Sequence, residues 1–327
     1  MLFRLSDDGT YGRFEYGADT EALHDAYYDV AEHLAEGRLD EWEAIERYEA
    51  LAARPYGVVH GNEGLGGLYA QRGDHRAARA CYDAAVREGD RYIPKGYRGE
   101  IIWGEFDNRP YLRALHGAAL SRLDLGHGRA AADRLRRLIR CNPSDNTGAR
   151  FLLGEALVWA DDFDAAERAL RAILDGEDHP PTQYLLGLVY VALGQHVQAA
   201  TAFRRGLVGN VYVAQFVLER RPIAPYAIGV YNGGYGGPDT ASDHYGRSRE
   251  LYRRQPRAVA LLDALYRDPA VAAHVEDVLL LRADHARVKG VSEKAISRRL
   301  LIQAEIEAEI NLVTDESSEA IVTDLDA

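Results

Sequence analysis

Residues 186–206 read Leu186-Gly187-Leu188-Val189-Tyr190-Val191-Ala192-Leu193-Gly194-Gln195-His196-Val197-Gln198-Ala199-Ala200-Thr201-Ala202-Phe203-Arg204-Arg205-Gly206. Their fixed points are Leu186-Gly187, Tyr190, Gly194, Ala199, Phe203 and Gly206. The same spacings recur at Leu65-Gly66, Tyr69, Gly73, Ala78, Tyr82 and Ala85. Leu153-Gly154, Leu157, Asp161, Ala166, Leu170 and Ile173 keep them with weaker residue types, and Ala118-Ala119, Gly126, Ala131, Leu135, Leu138 and Pro143 fit again. Upstream, Ala44, Tyr48 and Leu51 precede Ala78, Tyr82 and Ala85 by 34 residues. Successive registers differ by 34, 53, 35 and 33, the 53 being one repeat plus an insertion of about 19 residues near 88–108.

Each unit holds two apolar stretches of helical length, with apolar positions three and four apart. The break after the first falls at Gly73-Asp74, Gly126-His127, Asp161-Asp162 and Gly194-Gln195. Glycine there supplies the left-handed conformation that closes a helix. The small residues Gly66, Ala78, Gly154, Ala166, Gly187 and Ala199 mark where antiparallel helices approach closely, so larger side chains there overpack the seam. No unit buries its apolar face alone, so neighbours must stack. The expected class is all-α.

The Leu-Gly, Tyr, Gly, Ala, Phe/Tyr, Ala, Pro pattern resembles the tetratricopeptide repeat, well over 59–92 and 112–213 and weakly over 25–58. The usual first-helix Trp is absent, and the terminal Pro is clear only at Pro143. Arg109-Pro110-Tyr111-Leu112-Arg113-Ala114-Leu115, Cys141-Asn142-Pro143-Ser144-Asp145-Asn146 and Arg150-Phe151-Leu152-Leu153 also resemble the suppression-of-tumorigenicity-seven-like helical subgroup. The resemblance implies a right-handed superhelical solenoid of antiparallel helix pairs whose first helices line a concave groove. It also implies a non-enzymatic scaffold that binds another protein or peptide there. Carrying the family register across, the groove residues are His60, Glu63, Arg113, His116, Phe151, Glu155, Trp159 and Tyr184. For Phe151 and Trp159 a place in the seam is equally open. Such a lining suits a peptide or helix with one apolar anchor and a charged flank. The asparagine that grips a C-terminal carboxylate in some members is replaced by Gly67, Leu120, Glu155 and Leu188, which disfavours that clamp.

Around the array at 25–213, residues 1–24 read as a cap, with a short hairpin or irregular segment carrying Phe3, Leu5, Tyr11, Phe14 and Tyr16. The insertion is aromatic and loop-like, from Tyr92 through Trp103 and Phe106; it is expected to pack against the next helix, the other reading being a loop that reaches over the groove. Residues 214–311 form a C-terminal helical region, with a flexible glycine-rich connection at 231–238, helices near 239–254, 256–266 and 269–287, and a last helix from Ser292 to Ile310. The tail 312–327 is acidic with no basic residue and is expected to be disordered.

A net charge of −12 works against a polyanion-coating surface, so nucleic acid is an unlikely partner. No apolar run approaches the roughly 18–20 residues needed to cross a bilayer, so no membrane association is expected. Met1-Leu2-Phe3-Arg4 leads into Ser6-Asp7-Asp8-Gly9 without a signal-type apolar core, and a cytoplasmic protein is expected. Cys81 and Cys141 are too few and too far apart for a cysteine zinc site, and the histidines contain no His-Glu-x-x-His. Gly61-Asn62-Glu63-Gly64-Leu65-Gly66-Gly67 lies inside a repeat helix and lacks the Gly-Lys-Ser/Thr ending of a phosphate loop. Glu105, Asp107 and His116 specify no substrate. The expectation is no enzyme activity, no cofactor and no metal. One alternative is a DNA-binding regulator. Ala286, Gly290, Val291 and Ile296, near 282–301, have helix-turn-helix spacing, with Arg298 and Arg299 on the second helix. A terminal helix N-capped by Ser292 is the competing reading.

Overall fold

The chain begins with an antiparallel hairpin, β1 (Leu2–Leu5) and β2 (Tyr11–Glu15), which turns its Phe14 and Tyr16 side chains inward. Helix pairs follow: α1 (Thr20–Ala35) with α2 (Glu41–Ala52), then α3 (Val58–Gln71) with α4 (His75–Asp90). The insertion contributes β3 (Glu100–Ile101), parallel to β2, and a 3-10 turn at Phe106–Asn108. The pairs resume with α5 (Arg109–Asp124) and α6 (Gly128–Cys141); α7 (Ala149–Trp159) and α8 (Phe163–Leu174) follow in the chain, and then the pair α9 (Pro180–Ala192) and α10 (His196–Gly209). Short α11 (Val211–Val217) precedes α12 (Pro238–Arg254), α13 (Pro256–Arg267), α14 (Pro269–Arg287), α15 (Glu293–Asn311) and α16 (Asp315–Asp326). This computed structural model describes residues 1–17, 20–176, 178–220 and 235–326. The glycine-rich connection expected at 231–238 falls outside the described residues as far as position 234.

The repeat chemistry explains the pairing. Gly73, Gly126 and Gly194 close their helices at φ 75, 73 and 74°, and Asp161 adopts the same left-handed turn at φ 56° in the unit that lacks the glycine. The Asp74 side chain then accepts from Ala77 N at 3.0 Å, capping the following helix. Gly66 faces the Tyr82 ring, which a Cβ on Gly66 would meet at 2.7 Å; Gly187 faces Phe203 in the same way. Both pairs are 16 residues apart (66 to 82, 187 to 203), so the two repeats share one seam geometry. The fold is the all-α array of paired helices that the repeat implies, with one small sheet.

The chain divides into two compact units, Met1–Ala160 and Asp161–Ala327. Within the first, Asn108 locks the insertion to the hairpin: its Oδ1 accepts from Phe14 N at 3.0 Å, and its Nδ2 donates to Gly12 O and Ile102 O at 3.2 and 2.9 Å. Within the second, α12, α13 and α14 begin at Pro238, Pro256 and Pro269, close to the expected starts. Within the segment 312–327 that was expected to be disordered, Asp315–Asp326 form α16, which packs on α10. The cations missing from the tail stand on α10. Arg205 Nε donates to Val313 O at 2.9 Å, and Arg204 Nη1 donates to Ser317 Oγ and Ser318 Oγ at 2.9 and 2.8 Å. Asp315 and Glu316 also sit in the first turn, where the helix dipole favours them.

Candidate functional site

In the first unit, consecutive first helices α1, α3, α5 and α7 lie side by side, and their facing residues form one continuous face. Tyr27 of α1 stands at its centre, buried. Its hydroxyl donates to Glu63 Oε2 on α3 and accepts from Arg113 Nη1 on α5 at 3.4 Å. Burial raises the Glu63 carboxyl, against the opposing pull of the Tyr27 hydrogen bond and the Arg113 charge. Burial, followed by the nearby Glu63, raises the Tyr27 phenol far above its ordinary value, so it stays a donor.

Around this centre the insertion supplies aromatic rings. The Arg113 guanidinium carbon lies 5.9 Å from the Tyr28 ring centroid and 5.6 Å from that of Trp103. Arg109, one turn earlier on α5, lies 4.0 Å from the Phe106 centroid and 5.4 Å from that of Trp103, and its Nε donates to Trp103 O at 3.0 Å. Both arginines are half-buried, and Phe106 is 59 % exposed. Neither arginine has a carboxylate oxygen within 4.0 Å among the described residues.

The hairpin closes one side of the face. Tyr16 OH donates to Asp107 O at 3.1 Å, and His24 Nε2 lies 3.2 Å from Asp107 Oδ1. The His60 ring packs among Tyr16, His24 and Tyr27, with centroids 4.6, 5.1 and 5.7 Å away. Neither of its ring nitrogens has a hydrogen-bond partner among the described residues. Burial, then the neighbouring His24, lowers its pKa to about 3, so it is neutral at physiological pH.

Of the expected groove residues, the structure thus brings together His60, Glu63 and Arg113, with His116 half-buried one turn further along α5. Three are corrected to the interior. His60 is 0 % exposed beneath the hairpin and Glu155 is 2 % exposed in α7. Tyr184 is 0 % exposed, its hydroxyl donating to Asn210 O at 2.9 Å. There the second unit's own α12 and α13 cover α9, with Tyr252 and Tyr266 near the phenol. Trp159 proves to be a seam residue, packed on the start of α6 so closely that a Cβ on Gly128 would meet Trp159 Cβ, Ala156 O and Ala160 N. Phe151 is half-buried, with the Arg150 guanidinium 4.7 Å from its centroid. The sequence reading did not single out Tyr27, Tyr28 or Arg109, and placed Trp103 and Phe106 only within the aromatic insertion. Its usable signal was the four-residue spacing of Arg109 and Arg113, which sets both on one helical face beside an aromatic insertion.

Among the described residues no group of three or more His, Cys, Asp or Glu is placed to hold a metal ion, and no helix is long and apolar enough to cross a membrane. The segment read as a helix-turn-helix forms an antiparallel hairpin. His274 on α14 meets Glu309 on α15 at 3.1 Å, while at the other end Arg299 Nη1 donates to Val288 O at 3.4 Å. A helix-turn-helix instead sets its second helix across the first. Ser292 caps α15, its Oγ accepting from Ala295 N at 3.3 Å.

A family model described as tetratricopeptide repeat matches residues 32–93, 116–180 and 159–210, where α2 to α4 and most of α5 to α10 lie. No curated protein matches the chain. Repeats of this type are generally protein–protein interaction modules. Over the matched residues the chain is similar to the tetratricopeptide repeat.

Proposed function

We propose that the chain is a non-enzymatic scaffold that holds a peptide or helix of a partner protein on the face shared by α1, α3 and α5. The observation that supports this most is the composition of that face. Half-buried Arg109 and Arg113 stand beside Tyr28, Trp103 and the exposed Phe106, on a framework fixed by the Tyr27, Glu63 and Arg113 contacts. Aromatic and arginine side chains on a rigid support are the residues that most often carry binding energy at protein interfaces. Cytoplasmic placement and the suppression-of-tumorigenicity-seven-like subgroup belong to the same proposal. Alanine at Tyr28 and Arg113 together is expected to abolish retention of the cellular partner in affinity purification while leaving the helical circular-dichroism signal intact. Retention equal to wild type removes the assignment of this face.

A further inference from the structure

Elsewhere in the first unit, arginines at helix seams are supplied with carboxylates by the chain itself. Arg122, on the same helix as Arg109 and Arg113, reaches both oxygens of Asp83 from Nη2 at 2.9 Å. Arg137 makes a two-pronged contact with Asp90, at 2.9 and 2.5 Å. Arg109 and Arg113 break this pattern in a chain that carries 51 acidic residues and a net charge of −12. Three acidic residues of these elements are engaged with other groups: Asp107 with His24, Glu105 with Arg13 at 3.9 Å, and Glu63 with Tyr27. Aromatic rings near a guanidinium hold it in place without using its in-plane N–H donors, which stay available to a planar acceptor. Among the described residues Arg109 spends only Nε on a protein acceptor, and Arg113 spends one N–H on Tyr27.

We infer that Arg109 and Arg113, framed by Tyr28, Trp103 and Phe106, form a carboxylate-recognition site for an acidic partner peptide, with an apolar residue of that peptide packing on Phe106. This rests on the scaffold reading above and names the chemistry of its partner. Two forked guanidinia match side-chain carboxylates, and charge-assisted contacts to them are about twice as strong as neutral ones. Exposed Phe106 beside the half-buried rings of Tyr28 and Trp103 offers an apolar shelf that a free inorganic anion does not use. Glu63, behind Tyr27, weakens the attraction at Arg113, so Glu63→Gln tightens the site.

The test uses the full chain and three synthetic twelve-residue peptides with identical leucines and with Glu, Gln or Lys at the remaining positions, plus a phosphoserine version of the Gln peptide. Affinity is read by fluorescence anisotropy, and the location of binding by hydrogen–deuterium exchange over residues 20–35 and 100–113. The Glu peptide is expected to bind at least tenfold more tightly than the Gln peptide and to protect both segments. Arg109→Glu and Arg113→Ala are expected to cost at least tenfold each. Arg113→Lys, which keeps the charge and loses the fork, is the guard against misfolding and is expected to cost severalfold. Equal binding of the Glu and Gln peptides, or Arg variants that bind the Glu peptide like wild type, overturns the inference. Tighter binding of the phosphoserine peptide overturns it in favour of phosphate recognition. Protection of the face by the Gln or Lys peptide alone sinks the carboxylate site and leaves the scaffold reading standing, whereas no protection by any peptide counts against both.

Discussion

Arg113 on α5 reaches the Tyr27 hydroxyl on α1 at 3.4 Å, and that hydroxyl donates to Glu63 on α3, so one phenol ties three first helices together. Tyr27→Phe removes both contacts and leaves the part-buried Glu63 carboxylate without its donor. The expected cost is about 1–3 kcal/mol in urea denaturation. In a double-mutant cycle with Glu63→Gln, the two residues are expected to couple by about 0.5 kcal/mol or more. Additive losses would show that the bond does not contribute.

His60 makes stability depend on pH. Its folded pKa of about 3 lies below the ordinary value of 6.5, so its contribution is complete above pH 6.5 and is lost as pH falls from there toward 3. The slope approaches about 1.4 kcal/mol per pH unit. His244, buried against Tyr252 and also held at about 3, adds the same behaviour in the second unit. His60→Phe is expected to flatten the first unit's share of the loss between pH 7 and pH 5. Glu63 acts with the opposite sign: its raised pKa penalises the ionised form, so protonation on acidification adds stability, and Glu63→Gln removes that gain.

The seam glycines give a packing prediction. Gly66→Ala and Gly187→Ala push a Cβ into Tyr82 and Phe203. Each is expected to cost about 1–3 kcal/mol, measured by chemical denaturation. A neutral result at both positions would contradict the close approach of the paired helices.

These glycines were legible in the sequence because the Gly-to-ring separation of 16 residues repeats, and so were the breaks, where even Asp161 takes the glycine's conformation. Three helices expected near 239–254, 256–266 and 269–287 likewise stand close to those bounds. What escaped depends on partners distant in sequence. His60 is buried by Tyr16 of the hairpin, Tyr184 by helices that follow it, and α16 is held by Arg204 and Arg205 more than a hundred residues earlier. The family register places a residue on a helix face; it does not say whether another part of the chain covers that face. Arg109 and Arg113 were visible as a spaced pair, but their lack of internal carboxylates appears only in three dimensions.

The tail supplies a further test. Ending the chain after residue 311 removes Val313 and Ser318, both 0 % exposed, and uncovers α10. The second unit is then expected to unfold at lower urea concentration, with faster amide exchange along α10. Unchanged stability would restore the disordered reading of residues 312–327.

The account depends most on the face of α1, α3 and α5 being the surface that meets another polypeptide. A photo-cross-linking residue placed in turn at Tyr28, His116 and Arg136 in the intact protein, followed by mapping of the adducts, tests this directly. The account predicts partner adducts from positions 28 and 116 and none from position 136, on the partly exposed side of α6. Adducts from position 136 alone, or equal adducts from all three, would contradict it.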